Sequence, residues 1–325
     1  MKLDQPRVVV LGGGTGLPVL LRGLKQYPID LTAIVTVADD GGSSGRLRTE
    51  LEIPPPGDIR NVLAALSEVE PLIIEMFQHR FQTNSKELAG HSLGNLILAA
   101  MTSISGDFVS AIQQLSKVLN VKGVVLPAAN QSVELNAEMQ DGTLVTGESK
   151  ISKAGNKIKR VFLTPDDIKP LQETIEAIRQ ADLIVLGPGS LFTSILPNLL
   201  VPGLGEEICH AKAKKVYICN LMTQAGETLD FTASDHIKAI YEHMKCAFID
   251  TIIVNNAQIP DNVQLRYDEE YAKPVIFDLE KLQEFGLHVI QDDFATYTGE
   301  IIRHDTQKIA KQLFEFVQEF YTTNR

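Results

Sequence analysis

The 325-residue chain is short of cysteine, of positive charge and of long unbroken apolar runs, and each shortage narrows what the protein can be. Its three cysteines, Cys209, Cys219 and Cys246, have no CxxC spacing and cannot all pair. They read as buried thiols in a reducing compartment. Against 41 Asp and Glu stand only 30 Lys and Arg, a formal net charge of -11. A field of that sign repels nucleic-acid backbones and anionic membranes, while still allowing a local basic pocket. The most apolar run, "SILPNLLVPGLG", is broken by Pro197 and Pro202 and is too short to span a bilayer. The opening "MKLDQPRVVV" lacks the basic region, apolar stretch and small-residue cleavage site of a secretory signal. A cytoplasmic protein is expected, binding no nucleic acid and inserting in no membrane.

Catalytic signatures are missing as well. The sequence contains no HExxH, no GxSxG and no Walker A lysine after its glycine loops. No nucleophile presents itself, and catalytic residues stay unassigned.

What the chain has is alternation. Short β-branched strands ("RVVVLG", "LTAIVTVA", "GVVLPA", "DLIVLG", "KVYICN", "DTIIVNN") are separated by segments whose apolar residues recur at three-to-four spacing, such as "LPVLLRGL" and "FVSAIQQLSKVL". This pattern predicts an α/β fold with a Rossmann-like, mainly parallel sheet and helices on both faces. One stretch, "SVELNAEMQDGTLVTGESKIS", alternates with period two around Asp141-Gly142, a pair suited to a tight hairpin. Residues 127–165 are therefore expected to form a small antiparallel β insertion in one domain spanning 1–325.

The chain opens with "VVVLGGGTGLPVLLRGL". A dinucleotide fingerprint counted from Gly12 finds its second glycine at Gly14 but Leu17 in the third place, so GxGxxG is not met. The physics of such a loop survives: a strand ends, small residues Gly12, Gly13, Gly14, Thr15 and Gly16 expose N–H groups, and a helix N-terminus follows. Thr15 is placed to cap that helix, and Pro18 falls in its first turn, where a missing N–H does no harm. "LIVLGPGSLFTSI" repeats the arrangement with Gly187, Pro188, Gly189 and Ser190. Two such loops on one sheet can face each other across a switch-point crevice.

Other polar groups follow strands. Asp39 and Asp40 in "VADDGGSSGRLR" stand where a ribose-binding acid belongs, or could hold a divalent cation. Ser43, Ser44 and Arg46 then resemble a second anion nest, unless the segment is a solvated turn. "PPPGDIRNVLAAL" sets Asp58 and Arg60 in a helix's first turn, where Arg opposes the dipole and fits either a phosphate or a surface salt bridge. Asn95, in "HSLGNLIL", is either a pocket group or a cap or core amide. Asn220 and the other amides that end strands, Asn130, Asn255 and Asn256, could read a base or sugar or simply close turns. Arg303, just before the last helix, could close on a phosphate or pair with an acid.

Taken in order, "GGGTGLPVLLRGL", "VADDGGSSGRLR", "PPPGDIRNVLAAL", "HSLGNLIL", "LPAANQSVELNAEMQDG", "ADLIVLGPGSLFTSILPNLLVPG" and "NLMTQAGETLDFTASDHI" resemble the YvcK branch of the CofD-like family, the gluconeogenesis factors. The resemblance implies a nucleotide-containing ligand, specifically a UDP-sugar, and a role in cell shape and wall growth on gluconeogenic carbon sources. NAD shares the ribose-diphosphate core and is a second candidate occupant, with a NAD-binding oxidoreductase as one alternative function. The sister branch, the phospholactate transferases, uses a divalent metal, and Asp39-Asp40 correspond in place to its acidic motif. Mg2+ is accordingly a candidate, although "GGSSGRLR" and "PPPGDIRN" belong to the YvcK branch. The expected partner is a nucleotide-sugar, with a second copy of the chain as the candidate protein partner.

Overall fold

The protein is described by a computed structural model covering residues 5–69, 71–83 and 87–323. Twelve strands run β1 (Arg7–Gly12), β2 (Asp30–Val35), β3 (Val124–Pro127), β4 (Glu134–Met139), β5 (Leu144–Thr146), β6 (Ile158–Thr164), β7 (Leu183–Leu186), β8 (Lys214–Ile218), β9 (Thr251–Asn255), β10 (His288–Asp292), β11 (Ala295–Thr298) and β12 (Ile301–His304). Seven of them form one sheet in the order β10-β9-β8-β7-β1-β2-β3. Every pairing in it is parallel.

Strand residues alternate between the faces, and both faces are dry. Val9 and Leu11 of β1 join one buried cluster with Ile184 and Leu186 of β7. Val8 and Val10 join the other, with Leu183 and Val185. A strand apolar on both sides needs a helical layer on each, which is why these segments read as continuous apolar runs. The first helix, α1 (Gly16–Leu24), buries Leu17, Leu20, Leu21 and Leu24 against the second cluster. It meets the last helix, Thr306–Thr323, at Gly23, where a Cβ would stand 2.8 Å from the Thr306 carbonyl oxygen.

The antiparallel insertion is a three-stranded sheet ordered β5-β4-β6, with its hairpin at Asp141-Gly142 and Gly142 at φ 86. Its inner residues Leu135, Ala137 and Val161 extend the first cluster. Pro127 belongs to the main sheet, so the insertion starts after it.

Strand order reverses between β1 and β7. From β1 the chain works outward through β2 to β3, then returns to β7 and proceeds the other way to β10. That reversal leaves a crevice at the carboxyl ends of β1 and β7, because the connections after them depart to opposite sides.

Two sequence expectations are corrected. The cysteines are not three free thiols: Cys209 and Cys246 form a disulfide across 37 residues, and only Cys219 is a buried thiol. Their spacing hid this, because the helices Leu204–His210 and Ala233–Met244 bring the two together only after packing. "GGSSGRLR" is not a solvated turn either. It forms the start of α2 (Gly42–Leu51), with Gly41 at the N-cap.

Candidate functional site

The crevice opens into a cleft of about 540 Å3 lined by both glycine loops. On the first loop Gly13, Gly14, Thr15 and Gly16 face it; on the second, Pro188, Gly189 and Ser190 do. The loops nearly touch. A Cβ on Gly16 would stand 2.7 Å from the Pro188 carbonyl oxygen, so only glycine lets the two pass this close. Gly14 (φ 62) and Gly187 (φ 85) make the two turns in left-handed backbone. Thr15 holds the N-cap position of α1, but its side chain makes no capping bond, contrary to the sequence expectation, because its backbone is already helical at φ -90 and ψ -19.

The rest of the predicted set divides. Asn220 and Arg303 line the same cleft. Gly12 does not, since its carbonyl accepts from Thr36 N and from Asn198 Nδ2 inside the sheet edge. Asp58 sits beneath the first loop, its Oδ2 accepting from Gly14 N at 2.8 Å. Asp39 Oδ1 accepts from Gly41 N, and Asp40 Oδ1 from Ser149 N in the insertion, both at 2.8 Å. Ser44 packs on Gly57, where a Cβ would meet its Oγ at 2.3 Å. Ser43 Oγ lies 2.9 Å from His91 Nδ1 and accepts from Asn95 Nδ2 at 3.0 Å, so Asn95 is a core amide here. Arg46 bonds the Ala89 carbonyl.

Arg60 is no surface salt bridge. It lies in α3 (Gly57–Leu66) and is only 5% exposed. Its Nη2 donates to Asn61 Oδ1 at 2.7 Å, while Nε and Nη1 are buried without a partner among the described residues. Burial pushes its pKa down to about 10, with Arg80 adding to the effect. Asn255 closes a turn, donating to Ala257 O and accepting from Phe294 N.

Beside the first loop the acids crowd one another. Burial, then the nearby Asp39, pushes Asp58 up to about 6, against the stabilising Gly14 N–H. Glu148 rises to about 7 through burial and the charges of Asp39, Asp40, Glu227 and Asp58. Yet no three Asp, Glu, His or Cys side chains stand together as a metal-ligand set among the described residues.

The structure adds groups that the sequence did not single out. Tyr267, Gln224, Glu270 and His304 line the cleft. His304 Nε2 lies 3.0 Å from the Cys219 carbonyl oxygen, and burial depresses the ring's pKa while that contact opposes the shift. Tyr267, in the charged stretch "QLRYDEE", carries no local signal of its place.

A doubly wound parallel sheet with two glycine loops facing each other at its order reversal defines a Rossmann-like α/β protein with a switch-point ligand cleft. The family model described as 2-phospho-L-lactate transferase CofD matches residues 8–295, and the chain belongs to that family. It is 64% identical over 316 residues to the gluconeogenesis factor of Bacillus subtilis (strain 168), covering 97% of this chain and 99% of that one. To the gluconeogenesis factor of Halalkalibacterium halodurans it is 60% identical over 313 residues, covering 96% and 97%. A crystal structure of a Bacillus halodurans protein superposes with a TM-score of 0.93 at 61% identity, over 95% of this chain and 99% of that chain.

Proposed function

We propose that this chain is a cytoplasmic gluconeogenesis factor that binds a UDP-sugar in the switch-point cleft and serves cell shape and wall growth on gluconeogenic carbon. The observation that carries the reading is the apposition of the two glycine loops with Arg303 and Asn220 on one cleft. Thr15 and Gly16 have N–H groups without a partner among the described residues, at the positive end of α1, where a diphosphate is favoured. Arg303 is exposed and forms no ion pair among the described residues, so its guanidinium is available to a phosphate. Tyr267 brings an aromatic ring to the cleft wall, and Asn220 Oδ1, buried without a partner among the described residues, offers an acceptor to a sugar or base donor.

Titration calorimetry with UDP-N-acetylglucosamine, with NAD as competitor, tests the reading. Micromolar binding of the UDP-sugar is expected; no heat and no thermal shift at saturation overturns it. The alternative is a metal-assisted transferase of the phospholactate type, drawing on the acids around Asp39 and Asp40. As placed, those acids do not form a cation's ligand set, and no reaction step is assigned to them. Magnesium-dependent consumption of a nucleotide substrate, abolished in Asp40→Asn, would establish that alternative.

A further inference from the structure

The segment "NLMTQAGETLDF" has a job beyond lining the cleft. Glu227 within it is 6% exposed and does not itself line the cleft. Its Oε2 accepts from Phe192 N at 3.1 Å and its Oε1 from Thr193 Oγ1 at 2.8 Å. Both donors belong to the π-helical turn Leu191–Ile195, which directly follows the Gly187–Ser190 loop. The same segment grips that loop a second time, where Gln224 Nε2 donates to Ser190 Oγ at 2.9 Å.

The bracket is itself held. Gln224 N donates to Thr228 Oγ1, and Glu227 N and Thr228 N both donate to Gln224 O, closing a tight turn. Gly226 lies against the backbone of the insertion, where a Cβ would stand 2.0 Å from the Ser152 carbonyl oxygen. Two donors converge on the buried carboxyl group, one on each oxygen, so the contact is directional; burial raises its pKa while these two hydrogen bonds oppose the rise.

From this geometry we infer that Glu227 is a positioning residue that holds the second glycine loop at the spacing needed for the ligand's phosphates, an inference that rests on the nucleotide reading above. The carboxylate acts through Phe192 and Thr193 and touches no ligand. Its role is specific to the phosphate portion, since Pro188, Gly189 and Ser190 form the loop that it fixes.

The test compares UDP and uridine on the full chain, UDP by calorimetry and uridine by ligand-observed NMR. Wild-type protein that fails to bind UDP at all overturns the nucleotide reading itself. With that binding in place, Glu227→Ala is expected to weaken UDP about tenfold through the loosened loop and to leave uridine unchanged. Glu227→Gln can accept from Phe192 N and donate to Thr193 Oγ1, so it is expected to restore UDP affinity to within about threefold of wild type. Should Glu227→Ala fail to fold, Thr193→Val removes one arm at nearly constant volume and is expected to weaken UDP and spare uridine. Unchanged UDP affinity in the truncated variants, equal losses for UDP and uridine, or a folded Gln variant as weak as Ala would each overturn the inference.

Discussion

At the scale of single residues, the site is governed by which side chains have spent their hydrogen bonds inside the protein. Asp58 has, on Gly14 N, and so it shapes the loop from below; Arg303 has not. Arg303→Ala is therefore expected to lower UDP-sugar affinity by about 1.5 to 3 kcal/mol, read by calorimetry, with the melting temperature of the free protein unchanged. The crowded acids predict a pH dependence of stability. Asp58 and Glu148 titrate higher in the folded protein, at about 6 and about 7, than in the unfolded chain. At these two positions the folded state holds extra protons, so their contribution to stability is full in acid and is lost as pH rises through those values, while His236, His243 and His304, lowered by burial, contribute in the opposite sense. Thermal unfolding of wild type and Glu148→Gln from pH 5 to pH 8 isolates one acid: the stability of wild type relative to the variant is expected to fall as pH rises toward about 7. A difference between the two that does not change with pH would move the cause to another group.

Among the elements, glycines decide how closely loops approach. Gly16 abuts the Pro188 backbone, which cannot swing aside as a side chain would. Gly16→Ala is expected to push the two loops apart, at a stability cost of about 1 to 3 kcal/mol by denaturant unfolding, with a further loss in ligand affinity. Retained affinity would show that the loop spacing is not critical. The same scale shows where sequence reading stopped. Strand β10 was not foreseen, because "HVIQD" lies at the sheet edge, half exposed and with few apolar residues. Helix α2 passed for a loop because "GGSSGRLR" is rich in poor helix formers and is held in place by Asp39 and Gly57, far from any periodicity of its own.

For the whole molecule, two buried clusters sandwich the sheet, and the Cys209–Cys246 disulfide staples the outer helices of one of them. Closing a loop of that length restricts the unfolded chain, so reduction is expected to lower stability by about 2 to 4 kcal/mol, as should Cys209→Ser. Denaturant unfolding with and without reductant, beside thiol counting by mass spectrometry, checks this; identical midpoints would show that the bridge contributes nothing.

Periodicity by itself determined the α/β alternation, the strands β1, β2, β3, β7, β8 and β9 of the main sheet, the Asp141-Gly142 hairpin and the two glycine loops, because burial and positive φ leave local marks in composition. It could not say which candidate groups share a cavity. Asp39, Asp40 and Arg60 follow strands or open helices just as Asn220 and Arg303 do, yet Asp39 turns toward the start of α2, Asp40 toward the insertion, and Arg60 is buried against Gly94 and Asn61. Only the order reversal between β1 and β7 selects which loops face each other, and only packing brings Glu227 to Phe192 and Cys209 to Cys246. Those are contacts between residues tens of positions apart, and their energy depends on distance in space, to which local sequence pattern is blind.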